Sequence, residues 1–584
     1  LTLEGIAGSP GHAIGRSQVI DTRRPRLQRR HIHKHAADEE LLRFDQAVAA
    51  SSLALREVHD KLKTGSARAE SSILEAYILM VEDEALREEV ERRIRIDHQC
   101  AEWALDTAVQ GMAATLRASE NPYLAERSHD FEFVGDRILL ALAGKPGQTS
   151  LPDADEARVV IAHDLSPAET AGFTKDRVLA LVTEVGTRTS HTAILARALE
   201  IPAVVGVRDV LEKIGTGDVM IVDGNRGRLV VSPNEEMIRE AEARAERRRV
   251  FSLGLRGELD RPTTTSCGVE IDLRANIELP AEAEMAVSLG AAGIGLYRTE
   301  FLYVDRAQPP SEDEQYETYK HVLEVVSPRP VTLRTFDIGG DKFVTAFQVP
   351  ADMNPALGLR AVRLALARPE IFQVQLRAMV RASAHGSLRV MIPMIASLTE
   401  LRAVAELFNQ AIGDVDRAGH SRAAHIPLGV MVEVPSAAIM ADELAREAEF
   451  LSVGTNDLVQ YALAVDRSNP KLAHLASAFD PSILRLLRIV IDAGAQHQRD
   501  VSVCGTMASD PLAALLLVGM GVRSLSLAAP EIPRVKAALS RFSLAEAATV
   551  ARHAFRYGTA RDVEGTIVEE LGPRIADLLD SDTA

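Results

Sequence analysis

From about Cys267 onward, eight short apolar runs alternate with helix-like stretches. In order they are "EIDLRANI", "GIGLYRTE", "VTLRTFDIG", "LRVMIPMI", "PLGVMVEV", "FLSVGTND", "VSVCGTM" and "RSLSLA". A run of this length, rich in Val, Ile and Leu, reads as a buried strand, and a helix after each strand returns the chain to start a parallel neighbour. Eight such units over roughly 300 residues predict a (β/α)8 barrel; the rival is an open doubly wound sheet, and the count of eight favours the barrel.

The ends of these runs are unusually polar. The second ends in Arg298-Thr299-Glu300, and the third in Arg334 and Asp337 followed by Gly339–Lys342. The fifth ends at Glu433, the sixth in Thr455-Asn456-Asp457 with Arg467 beyond it, and the seventh at Cys504. Barrel enzymes place their reactive groups at the C-terminal strand ends. Neighbouring strands lie about 4.8 Å apart, so these ends can converge on one ligand. Glu433 and Asp457 then supply two carboxylates, a set that suits Mg2+ with its retained waters. Arg298, Arg334 and Arg467 make a clamp for phosphate or carboxylate. Guanidinium groups and Mg2+ together stabilise a transferring phosphoryl group. Each residue alone also has a structural reading, Glu433 and Arg334 as an ion pair for example. Cys504 is by default a small buried hydrophobe; its place at a strand end, before Gly505, marks it for proton transfer.

Upstream the texture differs. Residues 1–20 read as a short strand with a turn at Gly8–Gly11. "TRRPRLQRRHIHKH" follows, where His31, His33 and His35 would share a face on a strand. A solvated linker is expected there rather than a metal site. From Ala37 to about Leu142, Leu41, Phe44, Val48, Leu55, Val58 and Leu62 recur at helical spacing and mark one buried stripe. Glu70, Glu75, Glu82, Asp83 and Glu84 lie on the opposite face, a solvated surface by default. From Asp155, "ARVVIAHDLS", "VLALVTEVG" and "DVMIVDGNRGRLVVSP" read as strands, the last a hairpin around Gly224–Gly227. Residues 1–20 can join this small α/β domain, making the helical segment an insertion. Asn234–Leu259 is rich in Glu, Ala and Arg with little apolar stripe, as expected of a linker helix. Within the α/β domain, "TEVGTRTSHTAILARALEIPAVVG" (Thr183–Gly206) sets His191 among small hydroxyl residues at a helix start. There N–H groups and the helix dipole favour an anion.

The net charge of −17 argues against nucleic acid or an anionic membrane as the main partner. Three widely spaced cysteines, Cys100, Cys267 and Cys504, give neither a disulfide framework nor a CxxC spacing. No apolar run is long enough to span a bilayer, and "LTLEGIAGSPGHAIGRS" has no signal-peptide pattern. A cytoplasmic location is expected.

Several long motifs occur in a fixed order: "GTRTSHTAILARALEIPAVVG", "GIGLYRTEFLYVDR", "RTFDIGGDK", "NPALGLRAVR", "MVEVPSA" and "FLSVGTNDLVQYALAVDRSN". With these the whole chain resembles Enzyme I of the bacterial phosphoenolpyruvate:sugar phosphotransferase system. The resemblance implies a multidomain α/β protein: a phosphohistidine α/β domain (1–22 and 146–232), an inserted all-α HPr-binding subdomain (23–145), a linker helix (233–262) and a (β/α)8 phosphoenolpyruvate-binding and dimerisation barrel (263–584). It implies His191 as the phosphorylated residue, and Arg298, Arg334, Asn456, Asp457 and Arg467 as substrate-binding residues. Glu433 and Asp457 would ligate Mg2+, and Cys504 would protonate the enolate carbon as pyruvate forms. HPr, the small histidine-containing carrier, would be the acceptor, and the protein would be a homodimer. The family's His loop usually opens with two glycines; here it reads Gly186-Thr187. Two rivals are a nitrogen-branch paralogue, expected to carry a sensory domain ahead of "EGIAGSPGHAIG", and a catalytically silent binding protein.

Overall fold

A computed structural model describes residues 1–9, 11–20, 29–62, 77–117, 122–144, 157–165, 170, 173–186, 190–199, 201–224, 226–242, 259, 261–303, 308–339, 354–466, 472 and 475–579. The chain divides into two compact units, Leu1–Val250 and Phe251–Ala584.

The first unit holds the helical segment and the small α/β domain. Long helices run over Ala37–Leu62, Glu84–Arg95, Ala101–Arg117 and Pro122–Leu142. The stripe foreseen from the sequence is their seam: Phe44 and Leu55 are buried with Tyr77, Val90, Ile94, Val134 and Ile138, and Leu41 and Val48 pack against them. Val58 and Leu62 have side chains outside the described residues. The acidic face is partly committed. Glu82 accepts from Ser52 and from Arg56 at 2.8 Å, and Asp83 caps Glu84–Arg95 through Leu86 N–H. Glu70 and Glu75 lie outside the described residues. His31, His33 and His35 do not share a strand face. His31 makes a single bridge to Gln99 and meets Trp103 edge-on, while His33 stacks on His35 around the 3-10 turn Lys34–Ala36.

The α/β domain is an eight-stranded sheet: β1 (Thr2–Glu4), β2 (Ile6–Ser9), β3 (His12–Ile20), β4 (Arg158–Ala162), β5 (Val178–Thr183), β6 (Ala203–Val205), β7 (Val219–Asp223) and β8 (Arg228–Val231). Their order is β1-β8-β7-β3-β4-β5-β6-β2. Residues 1–20 therefore hold three strands, not one. β1 and β2 are consecutive in the chain yet occupy opposite edges, with Gly5 alone between them. The Gly5 N–H donates to Gly227 O at 2.8 Å, and a Cβ there would come within 2.7 Å of Val205 O. β7 and β8 form the expected hairpin. β3 and β4 are parallel neighbours, so the helical segment is inserted within a crossover.

In the second unit, eight parallel strands close on themselves: β9 (Asp272–Ile277), β10 (Ile294–Arg298), β11 (Val331–Arg334), β12 (Leu388–Ile392), β13 (Leu428–Val432), β14 (Phe450–Val453), β15 (Asp500–Val503) and β16 (Ser524–Ala528). β16 pairs with β9 from Ser524↔Asp272 to Ala528↔Asn276 and completes the barrel. The open sheet is excluded. Apolar side chains between strands and helices form the large core. A separate cluster of Leu296, Met391, Met431, Phe450 and Cys504 fills the barrel interior, as expected of a barrel packed by its inward residues rather than a pore. Ser311, Ser397 and Ser543 each start a helix with a reciprocal capping box to Glu314, Glu400 and Glu546. Of the residues proposed as a linker helix, 235–242 are helical and most of the remainder lies outside the described residues. No helix of the described residues is long and apolar enough to cross a membrane.

Candidate active site

The strands deliver their polar ends to the C-terminal mouth of the barrel. Arg334, the last residue of β11, is 6% exposed and lies between two acids. Its guanidinium pairs with Glu300 and, at 3.2 Å, with Asp337. It does not pair with Glu433, the structural alternative weighed from the sequence. Asp337 in turn accepts Arg360 Nη2 at 2.8 Å on both oxygens. Arg360 continues to Asp457, 3.8 Å away, and donates to the Tyr461 hydroxyl at 3.0 Å. Arg298, at the end of β10, donates to Glu278 at 2.7 Å. Arg298 and Arg334 thus stand at the mouth, each held by acids. Arg467 lies outside the described residues, as does Lys342.

Glu433 follows β13 and is buried, accepting the Met394 N–H at 2.7 Å. Asp457 sits in the first turn of helix Thr455–Ala462, directly after the neighbouring strand β14. Asn456 accepts from Thr506 N–H at 2.9 Å and from its hydroxyl at 2.8 Å. Cys504 follows β15 and is buried, its sulfur 3.5 Å from Val453 O; its carbonyl accepts from Asn276 at 3.0 Å.

The electrostatics follow from crowding charge out of water. Burial raises the Glu433 carboxyl, and Asp457 and Asp337 push it further, to about 8. Burial would also raise Asp337, but Arg334 and Arg360 outweigh it and hold that carboxyl below its usual range. Burial lifts the Cys504 thiol to about 11, so it keeps its proton at neutral pH. Buried carboxylates repelling one another fit a divalent cation, and their oxygens suit a hard one. Among the described residues no group of three or more His, Cys, Asp or Glu side chains is arranged to hold a metal ion. Two carboxylates with water completing the shell is the arrangement Mg2+ accepts.

A pH effect follows. Glu433 titrates near 4.5 when unperturbed and near 8 in the folded barrel without metal. Within that window the folded state holds a proton that the unfolded chain has released, so stability falls as pH rises. The metal-free protein is expected to melt at a lower temperature near the top of the window than near its bottom. Glu433→Gln should flatten the slope; scanning calorimetry across that range checks it, and an unchanged slope refutes the assignment.

In the first unit, the His191 segment is set by its entry. The Thr183 hydroxyl donates to Val185 O at 2.7 Å, and Val207 N–H donates to Thr183 O at 3.0 Å. His191 is the first residue of helix His191–Ala198. Its side chain, with Thr187 and Thr189, lies outside the described residues. Thr192 is fully buried.

Arg360 and Tyr461 were not singled out in the sequence. Arg360 is not at a strand end; it precedes helix Ala361–Ala367 and reaches the site by bridging to Gly339. The available signal was the glycine pair after Asp337. A Cβ on Gly339 would fall 2.2 Å from that of Arg360, and the residue holds φ +152°. Only glycine lets Arg360 approach so closely.

A closed barrel with arginines and paired carboxylates at its mouth defines a class that matches known proteins domain by domain. Residues 4–127 match the N-terminal domain of PEP-utilising enzymes, 154–227 their mobile domain and 254–544 their PEP-binding domain. The chain is 38% identical over 564 residues to the phosphoenolpyruvate-protein phosphotransferases of Bacillus sp. (strain S) and Geobacillus stearothermophilus, covering 96% of this chain and 97% of each relative. It is 37% identical to that of Haemophilus influenzae, covering 97% of this chain and 99% of the relative. The chain belongs to the phosphoenolpyruvate-protein phosphotransferase family.

Proposed function

We propose that this chain moves the phosphoryl group of phosphoenolpyruvate onto His191 and then onto the histidine of an HPr-type carrier, releasing pyruvate as the first step of sugar uptake. The observation that carries this reading is the buried Arg334–Asp337–Arg360 chain beside Glu433 and Asp457. It is a preorganised cationic and acidic mouth, in one chain with a helix that starts at a histidine.

Neutral imidazole of His191 attacks phosphorus in line. Arg298, Arg334 and Arg467, with Arg360 added to the set, bind the phosphate and carboxylate of the substrate, and Asn456 helps to fix its orientation. Glu278, Glu300 and Asp337 hold three of these guanidinium groups in place before substrate arrives. Glu433 and Asp457 would hold Mg2+, which when bound supplies positive charge against the phosphoryl oxygens. Cys504, protonated and sheltered, gives its proton to the enolate carbon. The phosphoryl group then rests at the start of helix His191–Ala198, where the first-turn N–H groups and the helix dipole favour an anion.

We assign residues 1–22 and 146–232 as the phosphohistidine domain, 23–145 as the carrier-docking insertion, 233–262 as a hinge-bearing linker and 263–584 as the barrel, through which a cytoplasmic homodimer forms. Leu53 and Leu79, 60% and 71% exposed on the two segments joined by the Ser52–Glu82 bond, offer the carrier an apolar contact. The intact set of acidic, arginine and thiol groups disfavours a silent binding protein. Radiolabelled phosphoenolpyruvate should label the protein only with Mg2+ present, and the label should pass to an added HPr-type carrier. Absence of Mg2+-dependent labelling overturns the reading.

A further inference from the structure

We propose that Ser452 and Ser502 form a two-hydroxyl relay that returns a proton to Cys504 from the N-terminal mouth of the barrel, opposite the substrate. This rests on the reading of Cys504 as the acid that protonates the enolate. Cys504 is 3% exposed and packs among Leu296, Met391, Met431 and Phe450. Once its proton is gone, a thiolate sits in an apolar interior, which is costly. While substrate fills the C-terminal mouth, solvent cannot resupply it from that side.

The interior contains a route from the other side. Ser452 is in register with Ser502 on the neighbouring strand, and its hydroxyl acts on the nearby Cys504 thiol, favouring the thiolate. Ser502, two residues before Cys504 on the same face of its strand, donates to Ser452 Oγ at 3.0 Å. The Cys504 S–H is directed at Val453 O, which leaves sulfur lone pairs for Ser452. Both serines are buried. Beside them, Ser524 is in register with Ser502 and is also buried, and its hydroxyl has no partner among the described residues. Asp500, two residues before Ser502 on that face, is 40% exposed and bound by Arg389 at 3.0 Å. The three hydroxyls therefore form one layer across β14, β15 and β16, set between the sulfur and the N-terminal end of the strands where Asp500 is exposed. Barrel interiors are normally layered with branched apolar side chains, so buried serines in this position need a reason.

The step balances. The enolate C=C electron pair takes the S–H proton at carbon, and the enolate oxygen closes to the pyruvate carbonyl. A thiolate lone pair then takes the Ser452 hydroxyl proton as Ser452 takes that of Ser502, and Ser502 takes one from water at the N-terminal mouth. One solvent proton is consumed per pyruvate, with no oxidation or reduction. Neither serine touches substrate; both act through Cys504.

The test uses the full chain with Mg2+, phosphoenolpyruvate and carbon-labelled pyruvate in deuterated water, with no carrier. Carbon exchange between the two compounds reports the chemistry, and deuterium in the pyruvate methyl reports how often Cys504 re-equilibrates with solvent. Ser502→Ala and Ser452→Ala are expected to lower deuterium per carbon exchange by about ten-fold or more, and Ser502→Thr to restore it. Because this is a ratio measured on active protein, loss of folded enzyme does not mimic it. An unchanged ratio in both alanine variants overturns the relay, and so does a fall that Ser502→Thr does not reverse. Cys504→Ala is expected to abolish both exchanges. If it leaves them intact, the assignment of Cys504 fails whatever the serines do.

Discussion

A His191→Ala protein is expected to take up no phosphoryl label from phosphoenolpyruvate, a loss of at least about 1,000-fold. Alanine offers no lone pair to attack phosphorus, and no neighbour in "GTRTSH" can replace an imidazole nitrogen. The proposed donor site lies in the other compact unit, so substrate affinity measured by equilibrium dialysis should stay within about two-fold. Label uptake by the variant would remove His191 from the mechanism. Loss of both uptake and affinity would mean that the substitution disturbs more than the nucleophile.

Arg334→Met is expected to give the largest loss of stability among the site substitutions. The guanidinium is almost fully buried between Glu300 and Asp337. Methionine has similar length but leaves two interior carboxylates without their shared cation, at a cost of about 3–5 kcal/mol. Arg298 has a different setting, with a 32% exposed side chain and, among the described residues, one ion-pair partner, Glu278. Arg298→Met should cost no more than about 1 kcal/mol. Urea unfolding of the two variants measures the contrast, and equal midpoints would show that burial does not govern these ion pairs. Both variants should bind phosphoenolpyruvate poorly, so catalytic loss cannot tell them apart.

The barrel was legible in the sequence because most residues of its strands are buried on both faces, so that the strands read as short, largely apolar runs. The turn to polar residues at each end then marked Arg298, Arg334, Glu433, Asp457 and Cys504. What could not be read was which charges meet. Arg334 pairs with Glu300 because of how β10 and β11 align, a relation that no spacing along the chain encodes, whereas Asp337 lies only three residues beyond it. Arg360 was hidden because it enters from a loop instead of a strand. The first twenty residues were read as one strand where there are three. β1 and β2 have three and four residues, too few for alternation to register, and their partners lie some 200 residues away. The buried stripe of Ala37–Leu62 was clear because a long amphipathic helix repeats its signal several times.

The crossover between β3 and β4 bears on how the protein is made. Their pairing runs from Ser17↔Val159 to Ile20↔Ala162, and the helical segment is synthesised between them. A ribosome-bound chain therefore completes the helices while β3 still lacks its parallel neighbour. The entropy of joining two strands grows only slowly with the loop between them, and an insertion that has already folded shortens that loop. The sheet is sealed only after the helical segment, when β4 to β8 have been made. A chain cut before Arg158 would keep its helices yet leave β3 with an open hydrogen-bonding edge, the kind of edge on which unfinished proteins aggregate.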